Sequence, residues 1–193
     1  MTILKKSLMY DHVIDKNIFP SFICSCIPDI DLEKYKTECY NIKESYPSDN
    51  ISNQGGYHSP KFTETKFEEL RDIVSHFCND LLCNKEFSLK VEEIEYWCNI
   101  NKCHNYNVMH SHGRADLIGI YYVKVPPQSG EFVTLRNDGS QYCNLYENRG
   151  DMLEYVTEPE EGRLYVLPGH LWHYVTGSNS KEDRISISFN IYT

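Results

Sequence analysis

Residues 110–125 read HSHGRADLIGIYYVKV: two histidines one residue apart, then an apolar run rich in β-branched and aromatic side chains. That run predicts a strand over 117–125, closed by the turn signals Pro126 to Gly130. On a strand, residues i and i+2 face the same way, about 7 Å apart at a rise of ~3.3 Å per residue. His110 and His112 can therefore aim two imidazoles at one point, the geometry a metal needs. A second anchor comes late in the chain. His173 lies in LPGHLWHYV (167–175), and a short loop separates it from Arg184 and Ser186 on the strand that almost closes the chain.

That closing strand, expected over 184–192, carries two unlike faces. Ile185, Ile187, Phe189 and Ile191 alternate with Arg184, Ser186, Ser188 and Asn190. A half-exposed strand with its polar face in water has this pattern. So does a strand whose apolar face packs on helices while its polar face lines a cavity. The nearness of His173 favours the second reading. An arginine beside a metal offers bidentate recognition of a ligand carboxylate, and Ser186 points the same way with a further hydrogen bond.

Working outward, Ile94, Tyr96, Cys98 and Ile100 alternate with polar residues, and Trp97 adds bulk to the other face. Further short strands are expected at 106–112, 131–136, 163–167 and 171–175. Upstream, Leu32, Tyr35, Cys39 and Ile42 recur at helical spacing, with Asp29 as the expected N-cap. A second helix follows a capping-box pattern from Thr65 to Glu68, with Phe67, Leu70, Val74, Phe77 and Leu81 on one stripe and Asn84 as its stop. Residues 1–27 suggest one or two short strands, with Ile14, Ile18, Phe19 and Ile23 as apolar points. Residues 46–62 read as a Ser-, Asn-, Gly- and Pro-rich loop, and 137–160 as a second loop bordering the site. The expected fold is mainly β with flanking N-terminal helices, an antiparallel barrel or two-sheet jelly roll. It is read as a single domain over 1–193, with helical and loop support in 1–86 and a β-barrel core in 87–193.

Composition bounds the function. The 193 residues carry a net charge of −9, with no long basic run. This argues against nucleic acid and against an anionic membrane surface as partners. There is no apolar run of about 18 residues and no signal-peptide pattern, so a cytoplasmic protein is expected. The eight cysteines lack zinc-finger spacing and read as reduced, mostly buried thiols. His12, His58, His76, His104 and His170 read as structural.

Five stretches together resemble the 2-oxoglutarate/Fe(II)-dependent oxygenases, and more closely a small family of them with an H-x-H pattern. They are SNQGGYHS (52–59), HSHGRADLIGIYYVKVP (110–126), SGEF (129–132), LPGHLWHYV (167–175) and RISISFN (184–190). The resemblance implies a double-stranded β-helix of the jelly-roll or cupin-like kind. It implies Fe(II), 2-oxoglutarate as co-substrate and O₂, with hydroxylation of a small-molecule or peptide substrate and release of succinate and CO₂. The implied metal ligands are His110 and His173, with His112 where most such oxygenases carry Asp; Asp116 is the alternative third ligand. Arg184 and Ser186 match the Arg-x-Ser that holds the distal carboxylate of 2-oxoglutarate. Tyr121 or Tyr122 would add a hydroxyl to that pocket. Two other readings stay open: a three-His, cupin-like dioxygenase that does not use 2-oxoglutarate, and a non-catalytic β-sandwich binding module.

Overall fold

The computed structural model describes residues 21–63, 66–84, 90–136 and 154–193. The expected strand points Ile14, Ile18 and Phe19, the capping residue Thr65 and the turn at 137–139 lie outside the described residues.

Eleven strands and two helices are described. In order they are β1 (Cys24–Cys26), α1 (Leu32–Ser45), β2 (Asn53–Gln54), β3 (Tyr57–His58), α2 (Glu68–Asn84), β4 (Glu93–Asn101) and β5 (Tyr106–His110). Then follow β6 (Leu117–Lys124), β7 (Phe132–Leu135), β8 (Glu154–Thr157), β9 (Leu164–Pro168), β10 (His173–Val175) and β11 (Arg184–Tyr192). They form two sheets, a larger one in the order β1-β9-β6-β11-β4-β3 and a smaller one in the order β2-β5-β10-β7-β8. Every strand pair is antiparallel.

The closing strand β11 lies in the middle of the larger sheet, paired with β4 along its whole length and with β6 on its other side. Its alternation resolves as the two-faced reading expects. Ile185, Ile187, Phe189 and Ile191 are fully buried in one cluster with Tyr35, Cys39 and Ile42 of α1 and Phe67, Leu70, Val74 and Cys78 at and within α2. Burying each such side chain stabilises the fold by roughly 1.5–3 kcal/mol. The opposite face of β11 turns toward the smaller sheet and lines the interior.

The helices form as their apolar spacing requires, with two differences. The N-cap of α1 is Asp31, not Asp29: its carboxylate accepts from the backbone N–H groups of Glu33 and Lys34 at 3.0 and 3.3 Å. Those are the orphan donors a helix start leaves open. In α2 the buried stripe runs through Cys78 and Leu82, while Phe77 and Leu81 sit at its half-buried edge. The Tyr35 hydroxyl accepts from Leu70 N at 3.1 Å, so a side chain of α1 satisfies the start of α2.

Three strands arise where loops were expected. β2 and β3 fall within 46–62, and β8 within 137–160. β2 and β3 are two residues each, too short to show an alternation of their own. Their ladders to β5 and β4 hold them, and the chain crosses from the smaller sheet to the larger at Gly55 and Gly56. The six described cysteines are free thiols, three buried and three half-buried. No described helix is long and apolar enough to cross a membrane.

Candidate metal centre

Antiparallel pairing brings the two histidine motifs together. β5 and β10 are neighbours in the smaller sheet, and His110 stands directly opposite His173 in their register. His112 arrives differently from the i, i+2 strand geometry. β5 ends at His110, and His112 reaches the centre from the connection that follows. There its backbone N–H donates to Gly169 O at 2.9 Å, and its carbonyl accepts from Ala115 N at 2.8 Å. A Cβ on Gly169 would run into the Ala115 carbonyl. The bare glycine lets the turn before β10 lie against the turn that carries His112.

The ligand nitrogens of His110, His112 and His173 lie within 4.8 Å of one another, a set that could hold a metal ion. Ring centroids are 4.4 Å apart for His110 and His173, and 5.1 and 5.2 Å for the pairs with His112. The tautomers suit ligation. His110 Nδ1 lies 2.7 Å from Val108 O, and His173 Nδ1 lies 2.8 Å from Leu171 O. A carbonyl only accepts, so both Nδ1 atoms carry the proton and both Nε2 atoms keep a bare lone pair. His112 Nδ1 hydrogen-bonds Asn190 Oδ1. Trp97 stacks on the His112 ring at 5.8 Å, and Phe132 lies 5.2 Å from His173.

Burial pushes all three imidazoles toward the neutral form. Desolvation lowers His173 to about 3 and His112 to about 4, with the neighbouring imidazoles adding to it, and desolvation lowers His110 as well. A metal ligand must be neutral imidazole, so the site is poised for a cation at neutral pH. Below pH 6.5 the unfolded chain takes up protons on these histidines while the folded chain does not. The metal-free protein is therefore expected to lose stability as pH falls from 6.5 toward 4, each pKa unit of separation being worth about 1.4 kcal/mol. Urea unfolding of metal-free protein at pH 7, 5.5 and 4.5 measures this. A stability that holds level across that range would contradict it.

The three imidazoles sit at a cavity of about 50 Å³ between the sheets, which Tyr122, Arg184 and Ser186 also line. Arg184 is 3% exposed, and its Nη1 is buried with no hydrogen-bond partner among the described residues. Gly130, at φ 91°, packs beside the guanidinium: a Cβ there would collide with Thr176 O and lie 3.2 Å from Arg184 Nη1. A buried guanidinium with an unsatisfied Nη1 is costly, and the group that would satisfy it is an anion. The tyrosine alternative is decided by register. Tyr122 pairs with Ser186 and shares its cavity face; Tyr121 pairs with Ile187 and faces the helices, 6.4 Å from the Tyr35 ring. Tyr121 therefore does not belong to the pocket. Nor does Asp116 join the imidazoles: its carboxylate is exposed and accepts from Thr193 N at 2.9 Å.

Some site residues were not singled out from sequence. Asn99 and Trp97 of β4 stand opposite Ser186 and Ser188 and line the same cavity, with Ser52, Asn107 and Phe132. The alternation of β4 marked their face but not what it faces. Asn190 was visible only as one polar member of β11.

Two antiparallel sheets closed on an interior cavity, with two helices against the outer face of the larger sheet, define the double-stranded β-helix of the 2OG-Fe(II) oxygenases. The chain belongs to the family described as "Putative 2OG-Fe(II) oxygenase", which residues 95–190 match. Solved structures agree in fold. A Pseudomonas putida prolyl-4-hydroxylase superposes with a TM-score of 0.63 at 15% identity, over 88% of this chain and 91% of that one. The viral collagen prolyl hydroxylase of Paramecium Bursaria Chlorella virus-1, in complex with 2OG, gives 0.56 at 12% identity, over 88% and 94%. The carbocyclase SnoK from nogalamycin biosynthesis gives 0.60 at 10% identity, over 88% and 78%. No curated protein matches the chain in sequence.

Proposed function

We propose that the protein is an Fe(II)- and 2-oxoglutarate-dependent dioxygenase that hydroxylates a small-molecule or peptide substrate. The observation that carries this reading is the unpartnered Nη1 of Arg184, buried in the same cavity as three neutral imidazoles. The donor set fits the groups. Three imidazoles suit iron(II) and leave coordination positions for other ligands. One buried guanidinium with a serine hydroxyl beside it suits a carboxylate. Iron(II) and 2-oxoglutarate, when bound, supply the oxidative decarboxylation that yields succinate and CO₂ and oxidises the substrate.

The residues of the chain do the rest. His110, His112 and His173 hold the ion on their bare nitrogens. Arg184 and Ser186 fix the far carboxylate, with Tyr122 lining the same cavity. Phe132, Trp97 and Ile118 keep the cavity dry, which strengthens each electrostatic contact inside it. The net charge of −9 makes nucleic acid the less suited substrate.

A cupin-like dioxygenase working without 2-oxoglutarate would leave Arg184 without a purpose for its burial. A non-catalytic module would do the same for the imidazole cluster. The test is succinate release by purified protein with Fe(II), ascorbate and O₂, together with calorimetric titration of 2-oxoglutarate onto Mn(II)-loaded protein. Saturable, metal-dependent 2-oxoglutarate binding is expected, and its absence would rule the reading out.

A further inference from the structure

His112 stands where most enzymes of this class carry a carboxylate, so among the described residues the centre has no negative ligand of its own. A carboxylate is nevertheless connected to it. His112 Nδ1 bonds to Asn190 Oδ1, and Asn190 Nδ2 donates to Glu95 Oε2 at 3.0 Å. The same Glu95 oxygen accepts from the Tyr192 hydroxyl at 3.0 Å and from Lys61 Nζ at 2.8 Å. Asn190 is 5% exposed and stands opposite Glu95 in the β11–β4 register. The chain of bonds thus runs across two strands in the middle of the larger sheet.

We propose that Glu95 and Asn190 are positioning residues that lock His112 in the tautomer a metal ligand requires. The inference rests on the metal-centre reading above. A side-chain amide has two nearly isosteric orientations, with acceptor and donor exchanged. The carboxylate of Glu95 only accepts, so it draws the amide NH₂ to itself and turns Oδ1 toward His112. Nδ1 of His112 must then donate, and Nε2 is left bare beside His110 and His173. With Glu95 removed, the amide can turn over and offer N–H to Nδ1. The imidazole proton then belongs on Nε2, where it blocks ligation. The relay also places the Glu95 charge two hydrogen bonds from the ring, which raises its basicity as a ligand. Trp97, stacked on the His112 ring and itself under Lys61 Nζ at 5.5 Å, keeps the ring plane in line with the relay.

The first measurement uses metal-free protein. Long-range ¹H–¹⁵N NMR reads the tautomer of each histidine. His112 is expected as Nδ1–H in the parent protein and as a mixture of tautomers in Glu95→Ala. The second measurement is calorimetric titration with Co(II). Asn190→Ala is expected to weaken binding about 10- to 100-fold. The double variant Glu95→Gln/Asn190→Asp exchanges the two groups, leaving an acceptor-only carboxylate beside His112, and is expected to restore both the tautomer and the affinity. A His112 that stays Nδ1–H in Glu95→Ala overturns the lock, as does parent-like Co(II) affinity in Asn190→Ala. Should the parent bind no Co(II), the metal-centre reading fails, while the NMR result still decides the lock.

Discussion

Arg184→Met is expected to weaken 2-oxoglutarate binding sharply while making the free protein more stable. The two effects have one cause. The guanidinium is withdrawn from water, its Nη1 without a hydrogen-bond partner among the described residues, and burial lowers its pKa, Tyr122 opposing in part. Replacing a buried charge with an apolar side chain of similar length relieves that cost, by about 1–4 kcal/mol on the scale of buried-charge replacements. The carboxylate of the co-substrate then meets no countercharge, and losing one partner of a buried, hydrogen-bonded charge pair costs about 2–5 kcal/mol. Affinity should fall by about 30- to 5,000-fold. Calorimetry on Mn(II)-loaded protein and thermal unfolding of the metal-free protein measure the two halves. If the variant is less stable and binds 2-oxoglutarate as before, Arg184 is a structural residue and the proposed function loses its main support.

His173→Ala should remove the metal. His173 lies at the junction of the whole arrangement, opposite His110 in the β5–β10 ladder and 4% exposed. Its Nδ1 is committed to Leu171 O, so Nε2 is free for one purpose. Losing one of three ligands leaves two imidazoles and, among the described residues, no carboxylate in the cluster to compensate. Co(II) or Mn(II) affinity is expected to fall more than about 100-fold, beyond the range that outer-sphere changes produce. His76→Ala is the control, since His76 lies on α2, exposed and bonded to Asp72 O, away from the cluster. Equal losses in the two variants would point to a general effect of removing histidine rather than to a centre. The alanine at 173 also removes a buried imidazole of depressed pKa, so the acid sensitivity of the metal-free protein should diminish with it.

The alternation of β11 was readable because its period is the period of a strand, and a strand with one apolar face must cover it. The same argument placed the apolar faces of α1 and β4. The two-residue strands β2 and β3 carry no period and became strands only through their neighbours. Tyr121 and Tyr122 show the same limit at the site. Adjacent residues on a strand face opposite ways, and only the register against Ser186 and Ile187 says which hydroxyl enters the cavity.

Sequence alone determined the residue types that can bind a cation and an anion, and the order in which the chain presents them. His110, His112, His173, Arg184 and Ser186 were all legible as chemistry, because imidazole, guanidinium and hydroxyl have fixed capacities wherever they stand. The tertiary structure decided what those capacities meet. Pairing of β5 with β10 set two histidines face to face across more than sixty residues of chain. Packing of β11 between β4 and β6 buried Arg184 with its Nη1 unsatisfied among the described residues and placed Asn190 between His112 and Glu95. Those relations depend on ladder register and on the closing of two sheets over one cavity, and such long-range geometry is not a property of any local stretch.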